Sequence, residues 1–359
     1  MKSETEEAKQ RKQSRSRKSK TEKMKLKQRK QSRKSETEKL NQKREKMKYL
    51  LKRIGFMVIT VFAVCALTFF LMNVIPGGTA ELILKHTFVG LEESATAEQI
   101  SQISSRYDLD DPLYIQFFRW VKAAVSGEGI GVSYVYKKPV LYLLALRLPA
   151  TIELAGASMA IAILVGISLG IYSALRENQI SDQILRIATL FGVSMPSFWI
   201  ALLLIIIFSL KLKLIPVAEY GGLENLILPA TALSLHSMAA IMRVTRTSML
   251  ETLGQEYIRF AKAKGLSIRK IISRHAFKNA MLPVVTVIGF QMGNLLGGTI
   301  VIEQIFAWPG IGSLLVNSIY ARDLPVIQGC VLAIVIMFLL VNFLVDMFYT
   351  YLDPRIRYS

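Results

Sequence analysis

The sequence contains few of the residues that build metal sites or covalent cross-links. Its 359 residues include 2 Cys and 3 His. Cys65 and Cys330 lie in separate hydrophobic blocks, with no spacing that indicates a disulfide or a metal site. The histidines, His86, His236 and His275, form no cluster along the chain. Neither a disulfide framework nor a metal site is expected, and the two thiols are predicted to be small buried groups.

Motifs for catalysis and for nucleotide binding are also absent. The chain has no Gly-x-x-x-x-Gly-Lys-Ser/Thr loop, nucleophile elbow, His-Glu-x-x-His or paired catalytic carboxylates. Energy for any transport must then come from another subunit or from a gradient. Gradient-driven carriers usually place ionisable groups inside the membrane. The main candidate, Glu153, lies about five residues (~8 Å) inside a hydrophobic block, which favours an interfacial or packing role over solute or ion contact.

Long apolar blocks are what the sequence does contain. Hydrophobic residues make up 52% of the chain, and they fall in blocks of about 20, the length that a helix needs to cross a bilayer. Backbone groups in lipid must be paired internally, so these blocks are predicted to be helices. The fold class is an all-α polytopic membrane protein with six transmembrane helices. The blocks are 54–74, 148–172, 187–210, 226–242, 281–302 and 326–349.

Charge distribution predicts the orientation. Residues 1–48 hold 20 Lys/Arg and 7 Glu, so 13 of the 19 net positive charges lie there. Positive residues near span ends mark the cytoplasmic side. The loop 243–280 has 9 Lys/Arg and 2 acids, whereas 75–147 has 7 Lys/Arg and 8 acids. Both termini are therefore predicted to be cytoplasmic and 75–147 external. The first block is too long for a cleaved signal peptide, so an uncleaved anchor is favoured.

The chain is predicted to have three parts. Residues 1–46 are a basic, repetitive, low-complexity tail that is predicted to be disordered. Three interpretations of this tail are open: it contacts anionic lipid, it binds nucleic acid electrostatically, or it is dispensable. In the last case, translation could naturally begin at Met47. The second part, 47–147, is the first transmembrane helix and the external loop. The third, 148–359, is a five-helix core that includes the cytoplasmic loop 243–280.

Within that loop, two amphipathic helices are predicted to meet at one glycine. Leu253, Tyr257 and Ala261 are one turn apart on an apolar face, and Gly265 then interrupts the helix. Pro283 is expected in the first turn of the next span. On periodicity alone, this is a helix pair lying on lipid headgroups. The apolar face beyond the glycine comprises Ile268, Ile271, Ile272 and Ala276, and a basic row comprises Lys270, Arg274 and Lys278.

The same segment resembles the EAA-type coupling loop of importer permeases of the peptide and nickel class. Gly265 matches the family's glycine, Ala261 its preceding alanine, and Leu282-Pro283 its closing pair. Arg259, where other importer classes have Glu, and the 17 residues between glycine and proline are similar to the peptide-type members. The resemblance implies that the loop docks on an ATPase. The implied coupling residues are Arg259, Ala261, Ala263, Gly265, Leu266, Ser267, Leu282 and Pro283.

The resemblance extends over about 47–358 through motifs that occur in the family's order. Thr79 and Glu128 depart from the family's usual proline and aspartate, which affects those two turns alone. The motifs are Pro76-Gly77-Gly78-Thr79, Leu109-Asp-Asp-Pro-Leu, Gly127-Glu-Gly-Ile-Gly-Val-Ser, Ser194-Met-Pro-Ser-Phe, Glu303-Gln-Ile-Phe-Ala-Trp-Pro-Gly-Ile-Gly, Arg322-Asp-Leu-Pro-Val-Ile-Gln-Gly and Asp346…Asp353-Pro-Arg-Ile-Arg.

What the resemblance implies is a permease subunit of an ATP-driven importer with the type I-like fold. The chain is then not an enzyme and has no cofactor, and ATP and Mg²⁺ belong to partner ATPase subunits. Other expected partners are a paralogous permease, an extracytoplasmic solute-binding protein and membrane lipid, with no nucleic acid. The solute is a di- or oligopeptide, or else nickel or a metal chelate. An intramembrane enzyme capped by 75–147 and a gradient-driven carrier are the rival interpretations.

Overall fold

The computed structural model describes residues 50–71, 97–106, 110–127, 129–216 and 220–352, together with positions 44, 47 and 48. The described residues between 60 and 354 belong to one compact unit. Of the second unit, 1–59 with 355–359, the described part is mainly the first turns of one helix. Some of the sequence predictions fall wholly or partly outside the described residues: the rest of the 1–46 tail, residues 75–96 of the external loop with the turn at 76–79, Leu109 of the second motif, Glu128 and the closing motif from 353.

The described secondary structure is helical. The helices are α1 (Leu50–Leu71), α2 (Ala97–Arg106), α3 (Leu113–Ser126), α4 (Val140–Leu175), α5 (Ile180–Ser194), α6 (Ser197–Leu204, continued by a π-helical turn Ile205–Lys211), α7 (Leu223–Leu253), α8 (Glu256–Ala263), α9 (Ile268–Lys270, continued by a π-helical turn Ile271–Ala276), α10 (Phe277–Ile305), α11 (Ile311–Tyr320) and α12 (Leu324–Leu352).

The described chain has up to six apolar spans, counting one bent pair of helices as a single broken span. Five are long enough to cross a bilayer: α1, α4, α7, α9 with α10, and α12. The sixth is the pair α5 and α6, whose axes differ by 108°. The third hydrophobic block is thus not one straight helix, as 187–210 had indicated. Pro196 lacks an N–H and disfavours helical geometry in the residue before it, and Met195 has extended dihedral angles (φ −81°, ψ 132°).

The helix α4 begins eight residues before the block that predicted it. Arg147 and Pro149 interrupt the apolar run, but the helix passes through both from Val140. Glu153 therefore lies 13 residues, about 20 Å, from the start of α4, and its side chain is exposed. The helix extends beyond the apolar block at this end, and the interfacial or packing role of Glu153 stays a prediction.

The central helix is α7, which contacts α4, α5, α6 and α10. Its contact with α4 is close because α4 presents glycines there. A Cβ added at Gly170 would lie 2.6 Å from the Cβ of Thr245 and 2.8 Å from the carbonyl oxygen of Met242. A Cβ at Gly166 would lie 2.9 Å from the carbonyl oxygen of Met238. These two glycines therefore allow the close packing of α4 against α7.

A buried carboxylate holds the connection between α10 and α11. Glu303 is fully buried, and its carboxylate accepts hydrogen bonds from the Thr151 hydroxyl (2.8 Å) and the Ser313 N–H (2.8 Å). The Thr151 hydroxyl oxygen in turn accepts from the Ile311 N–H at 2.8 Å. The motif that begins at Glu303 is therefore a structural anchor that attaches this connection to α4.

Replacing Glu303 by alanine is expected to lower stability by about 2 kcal/mol or more, because it leaves the buried Ser313 N–H and the Thr151 hydroxyl without their acceptor. Thermal aggregation of the detergent-purified protein measures this. Gln304→Ala is the matched control, since the Gln304 side chain is exposed and donates one bond of 3.2 Å to the Ser313 carbonyl. Equal melting of the two variants would contradict the anchor role.

A second buried carboxylate joins two of the sequence motifs. The fully buried Asp323 accepts hydrogen bonds from the Ser133 hydroxyl (2.5 Å), the Tyr134 N–H (3.1 Å) and the Val135 N–H (3.2 Å). The turn that precedes α4 is thereby fixed to the start of α12. Each of the two motifs, which are far apart in sequence, thus supplies one side of this contact.

Candidate coupling site

The turn at Gly265 is a Schellman cap on α8. The Leu266 N–H donates to the Ala261 carbonyl (3.3 Å), and the Gly265 N–H donates to the Lys262 carbonyl (2.9 Å). These are the two backbone bonds of that motif, which requires a left-handed residue between helix and exit. Gly265 has φ +77°, a value that glycine adopts without steric cost. The break predicted at Gly265 is confirmed.

Beneath the turn lies an apolar layer, here called the coupling cluster. The predicted face of α8 is rotated by one residue, because Ile258 is fully buried together with Ala261, while Tyr257 is exposed. The Tyr257 hydroxyl oxygen accepts a hydrogen bond of 2.8 Å from the Asn279 side chain. Leu253 is half-buried and packs against the cluster. The buried members are Ala174, Met249, Ile258, Ala261, Ile271, Ala276 and Ala280.

The second amphipathic helix differs from its prediction at one end. Ile271 and Ala276 are buried and Ile272 is half-buried, as expected, but Ile268 is exposed. The π-helical turn that follows α9 has a wider repeat than an α-helix, so the spacing of the apolar residues does not place all four on one face. The basic row, Lys270, Arg274 and Lys278, is exposed as predicted.

Pro283 lies in the interior of a helix and not in its first turn, so that prediction is wrong. The helix α10 begins at Phe277 and continues through Pro283. A proline there has no N–H to donate to the carbonyl four residues earlier. One residue beyond that carbonyl, the Ser248 hydroxyl of α7 donates to the Ala280 carbonyl at 2.8 Å. This contact ties the helix to α7 where its own hydrogen bonding is interrupted.

The outer face of the turn carries two large apolar side chains within a basic rim, here called the coupling surface. The side chains of Phe260 and Ile268 are 71% and 67% exposed. Such an apolar pair inside a polar rim is typical of a protein-docking surface, and a basic rim also suits lipid headgroups. The rim comprises the exposed residues Arg259, Lys262, Lys264, Arg269 and Lys270.

The structure brings six of the eight predicted coupling residues together. Those exposed on the turn are Arg259, Ala263, Gly265 and Ser267, whereas Ala261 (buried) and Leu266 (half-buried) support it from beneath. Ser267 is the N-cap of α9, and its carbonyl accepts from the Ile271 N–H at 3.0 Å. Leu282 and Pro283 are exposed on α10 and are not members of the coupling cluster.

An ion pair that sequence reasoning missed supports the same end of the bundle. Arg246 of α7 donates two hydrogen bonds, of 2.7 Å each, to the buried carboxylate of Asp182. The Ser173 hydroxyl (2.5 Å) and the Asn178 N–H (3.1 Å) also donate to Asp182. The pair joins the α4–α5 connection to α7, next to Ala174 of the coupling cluster. The sequence signal that could have indicated this pair was an acidic residue, Asp182, in the first turn of an apolar helix.

The apolar spans and the capped, basic-rimmed turn between two of them define a multi-pass membrane protein. The chain belongs to the family of binding-protein-dependent transport system inner membrane components. That family's profile matches residues 166–358, and the profile of the family's N-terminal part matches 46–155. Together these two matches cover both the α1 region and the helices that carry the coupling surface.

Similar proteins agree with the family. A peptide transport system permease protein of Brucella abortus is 42% identical over 319 residues, which are 86% of this chain and 99% of that protein. The glutathione transport system permease protein GsiC of Escherichia coli K12 is 38% identical over 313 residues, which are 87% of this chain and 100% of GsiC. An inward-facing structure of the MetNI methionine ABC transporter has the same fold, with TM-score 0.50 and 16% identity over 59% of this chain and 97% of that one.

Membership confirms the class that the sequence motifs had indicated. The chain is the permease component of an ABC importer and is not itself an enzyme, because ATP hydrolysis belongs to a separate subunit. An ATPase and a solute-binding protein are its partners by family. With its apolar helices, it is a multi-pass membrane protein.

Proposed function

We propose that this chain imports peptides, with a translocation path that it shares with a paralogous permease subunit. The observation that carries the coupling part of the proposal is the capped turn at Gly265, whose outer face is exposed while its underside is fixed to α4, α7 and α10. A rigid, exposed turn is suited to transmit the movement of a docked ATPase to the spans. The names of the similar permeases support a peptide as the solute.

The coupling surface is the part that meets the ATPase in this proposal. Phe260 and Ile268 enter an apolar groove of that subunit, and the basic rim meets acidic groups beside it. ATP and Mg²⁺ are bound by the partner, and no cofactor belongs to this chain. The solute-binding protein contacts the external loop 75–147. Closure of the ATPase dimer then shifts the permease between a state open to the outside and a state open to the inside. The switch is driven by ligand binding to the partner subunit.

The proposed orientation counts the bent pair α5 and α6 as one span. The coupling turn lies between the fourth and fifth spans and so falls on the same side as the N-terminus. Basic residues are concentrated at both places, which favours the cytoplasmic side for both. We therefore place the protein in the cytoplasmic membrane with both termini in the cytoplasm. The 1–46 tail is assigned no role in transport.

Deleting the gene is expected to abolish uptake of labelled peptide, and the wild-type gene should restore it. Uptake of a dipeptide, a longer peptide and Ni²⁺ is measured in parallel, and a gene starting at Met47 tests the tail. The tagged protein should also co-purify with a P-loop ATPase. A chain that purifies alone in mild detergent, or peptide uptake that survives deletion, would exclude the proposed function. Loss of Ni²⁺ uptake alone would show that the solute is a metal.

A further inference from the structure

A cavity of about 300 Å³ lies where the break between α5 and α6 faces α7 and α10. This volume is at the lower end of the range for pockets that hold small ligands. Half of the described lining is polar, and among these residues no acid, Lys or Arg is present. The lining residues are Val193, Ser194, Met195, Pro196, Ser197, Leu233, His236, Ser237, Gln291, Asn294, Leu295 and Gly298.

The polar lining residues lie far from the ends of their spans. His236 is 13 residues, about 20 Å, beyond the start of α7. Asn294 is 11 residues, about 16 Å, before the end of α10. Ser194 and Ser197 flank the break in the middle of the third span. Three different spans thus bring polar side chains together at this cavity.

One part of this polar lining is paired within the chain, and another part is exposed. Ser237 and Gln291 are buried, and the Ser237 hydroxyl donates to the Gln291 carboxamide oxygen at 3.4 Å. By contrast, Ser194, His236 and Asn294 are exposed. Polar side chains in the middle of a span avoid lipid and face water-filled space or another protein surface. The exposed side of this cavity is therefore a polar, solvated face of the bundle.

We propose that this cavity is a solute-contact site in the translocation path and that it binds the backbone amides of a peptide. The inference rests on the proposed function and adds the residues that touch the solute. Hydroxyl and carboxamide groups both donate and accept hydrogen bonds, which matches the N–H and C=O of a peptide group. Without an acidic or strongly basic lining residue, the site does not select among the side-chain charges of its solutes.

Replacing Asn294 by leucine is expected to reduce peptide uptake about tenfold, because one hydrogen-bonding group of the solute then lacks a partner in the path. Leucine is tolerated at an exposed mid-span position, so the amount of protein and of co-purified ATPase should not change. Asn294→Gln should restore most of the uptake. The control is Thr286→Val on the same helix, an exposed residue whose hydroxyl bonds to the Leu282 carbonyl at 3.2 Å.

Thiol labelling provides a second readout that does not depend on turnover. In the assembled transporter, Asn294→Cys should react with a water-soluble maleimide, and a saturating dipeptide should slow the reaction several-fold. The wild-type protein provides the background from Cys65 and Cys330, which are half-buried and buried. Two results would overturn the proposed site, provided that deletion of the gene still abolishes uptake. One is normal uptake by Asn294→Leu, and the other is labelling of Asn294→Cys that dipeptide does not slow. Uptake that survives deletion overturns the proposed function instead.

Discussion

Replacing Gly265 by tryptophan is expected to abolish peptide uptake while the protein remains in the membrane. Gly265 has φ +77°, and the left-handed conformation costs an ordinary residue about 1–2 kcal/mol. That cost alone does not unfold a bundle of this size. A Cβ at this position would have nothing within 4 Å in the chain, so the tryptophan ring projects outward. Its effect should come from blocking the approach of the ATPase.

Two smaller substitutions separate backbone strain from obstruction. Gly265→Asn should retain most of the uptake because asparagine tolerates the left-handed region, and Gly265→Ala should lose a modest part. Uptake and membrane abundance are measured together, with co-purified ATPase as the binding readout. If Gly265→Trp transports like the wild type, the turn does not dock. If alanine is as damaging as tryptophan, the cap geometry is what matters.

The largest loss of stability is expected from Arg246→Met. The Asp182 carboxylate is fully buried, and Arg246 supplies two of its hydrogen bonds at 2.7 Å. Removing one partner of a buried ion pair leaves an uncompensated charge, which typically costs about 3–5 kcal/mol. The expected result is a clear fall in the temperature at which the purified protein aggregates in detergent.

A matched control and a double variant test this assignment. Arg243→Met removes an exposed arginine one turn earlier on the same helix and should have little effect. Replacing Asp182 by leucine together with Arg246→Met should restore part of the stability, because apolar replacements of a whole buried pair are often tolerated. Equal effects of Arg246→Met and Arg243→Met, or purely additive losses in the double variant, would refute the ion-pair anchor.

The parts of the fold that depend on local chemistry were predictable from the sequence. Block length predicted six spans, and the glycine predicted the turn at Gly265, because a left-handed cap is determined by neighbouring backbone groups. The errors have local reasons too. Pro196 bends the third span and Pro283 does not end the helix before it, yet both are prolines in apolar blocks. The two prolines differ in the tertiary contacts around them. Near Pro283, the Ser248 hydroxyl of α7 donates to the Ala280 carbonyl.

Contacts between distant parts of the chain could not be predicted from one sequence. Asp182 and Arg246 are separated by 64 residues, and Thr151 and Glu303 by 152. The motif around Glu303 could be recognised in the sequence, but its contact with Thr151 of α4 could not. Nothing in the local sequence of either segment indicates that the two are in contact. The cavity beside Asn294 was hidden for the same reason, because three separate spans each supply part of its lining.

The helix from Ile268 to Ile305 is continuous over 38 residues, about 57 Å at 1.5 Å per residue. It carries part of the coupling surface at one end and Asn294 about two-thirds of the way along. One residue inserted between them would turn everything beyond by about 100°, which would redirect Asn294 away from its neighbours. The number of residues in this stretch therefore sets the angular relation between the coupling surface and Asn294.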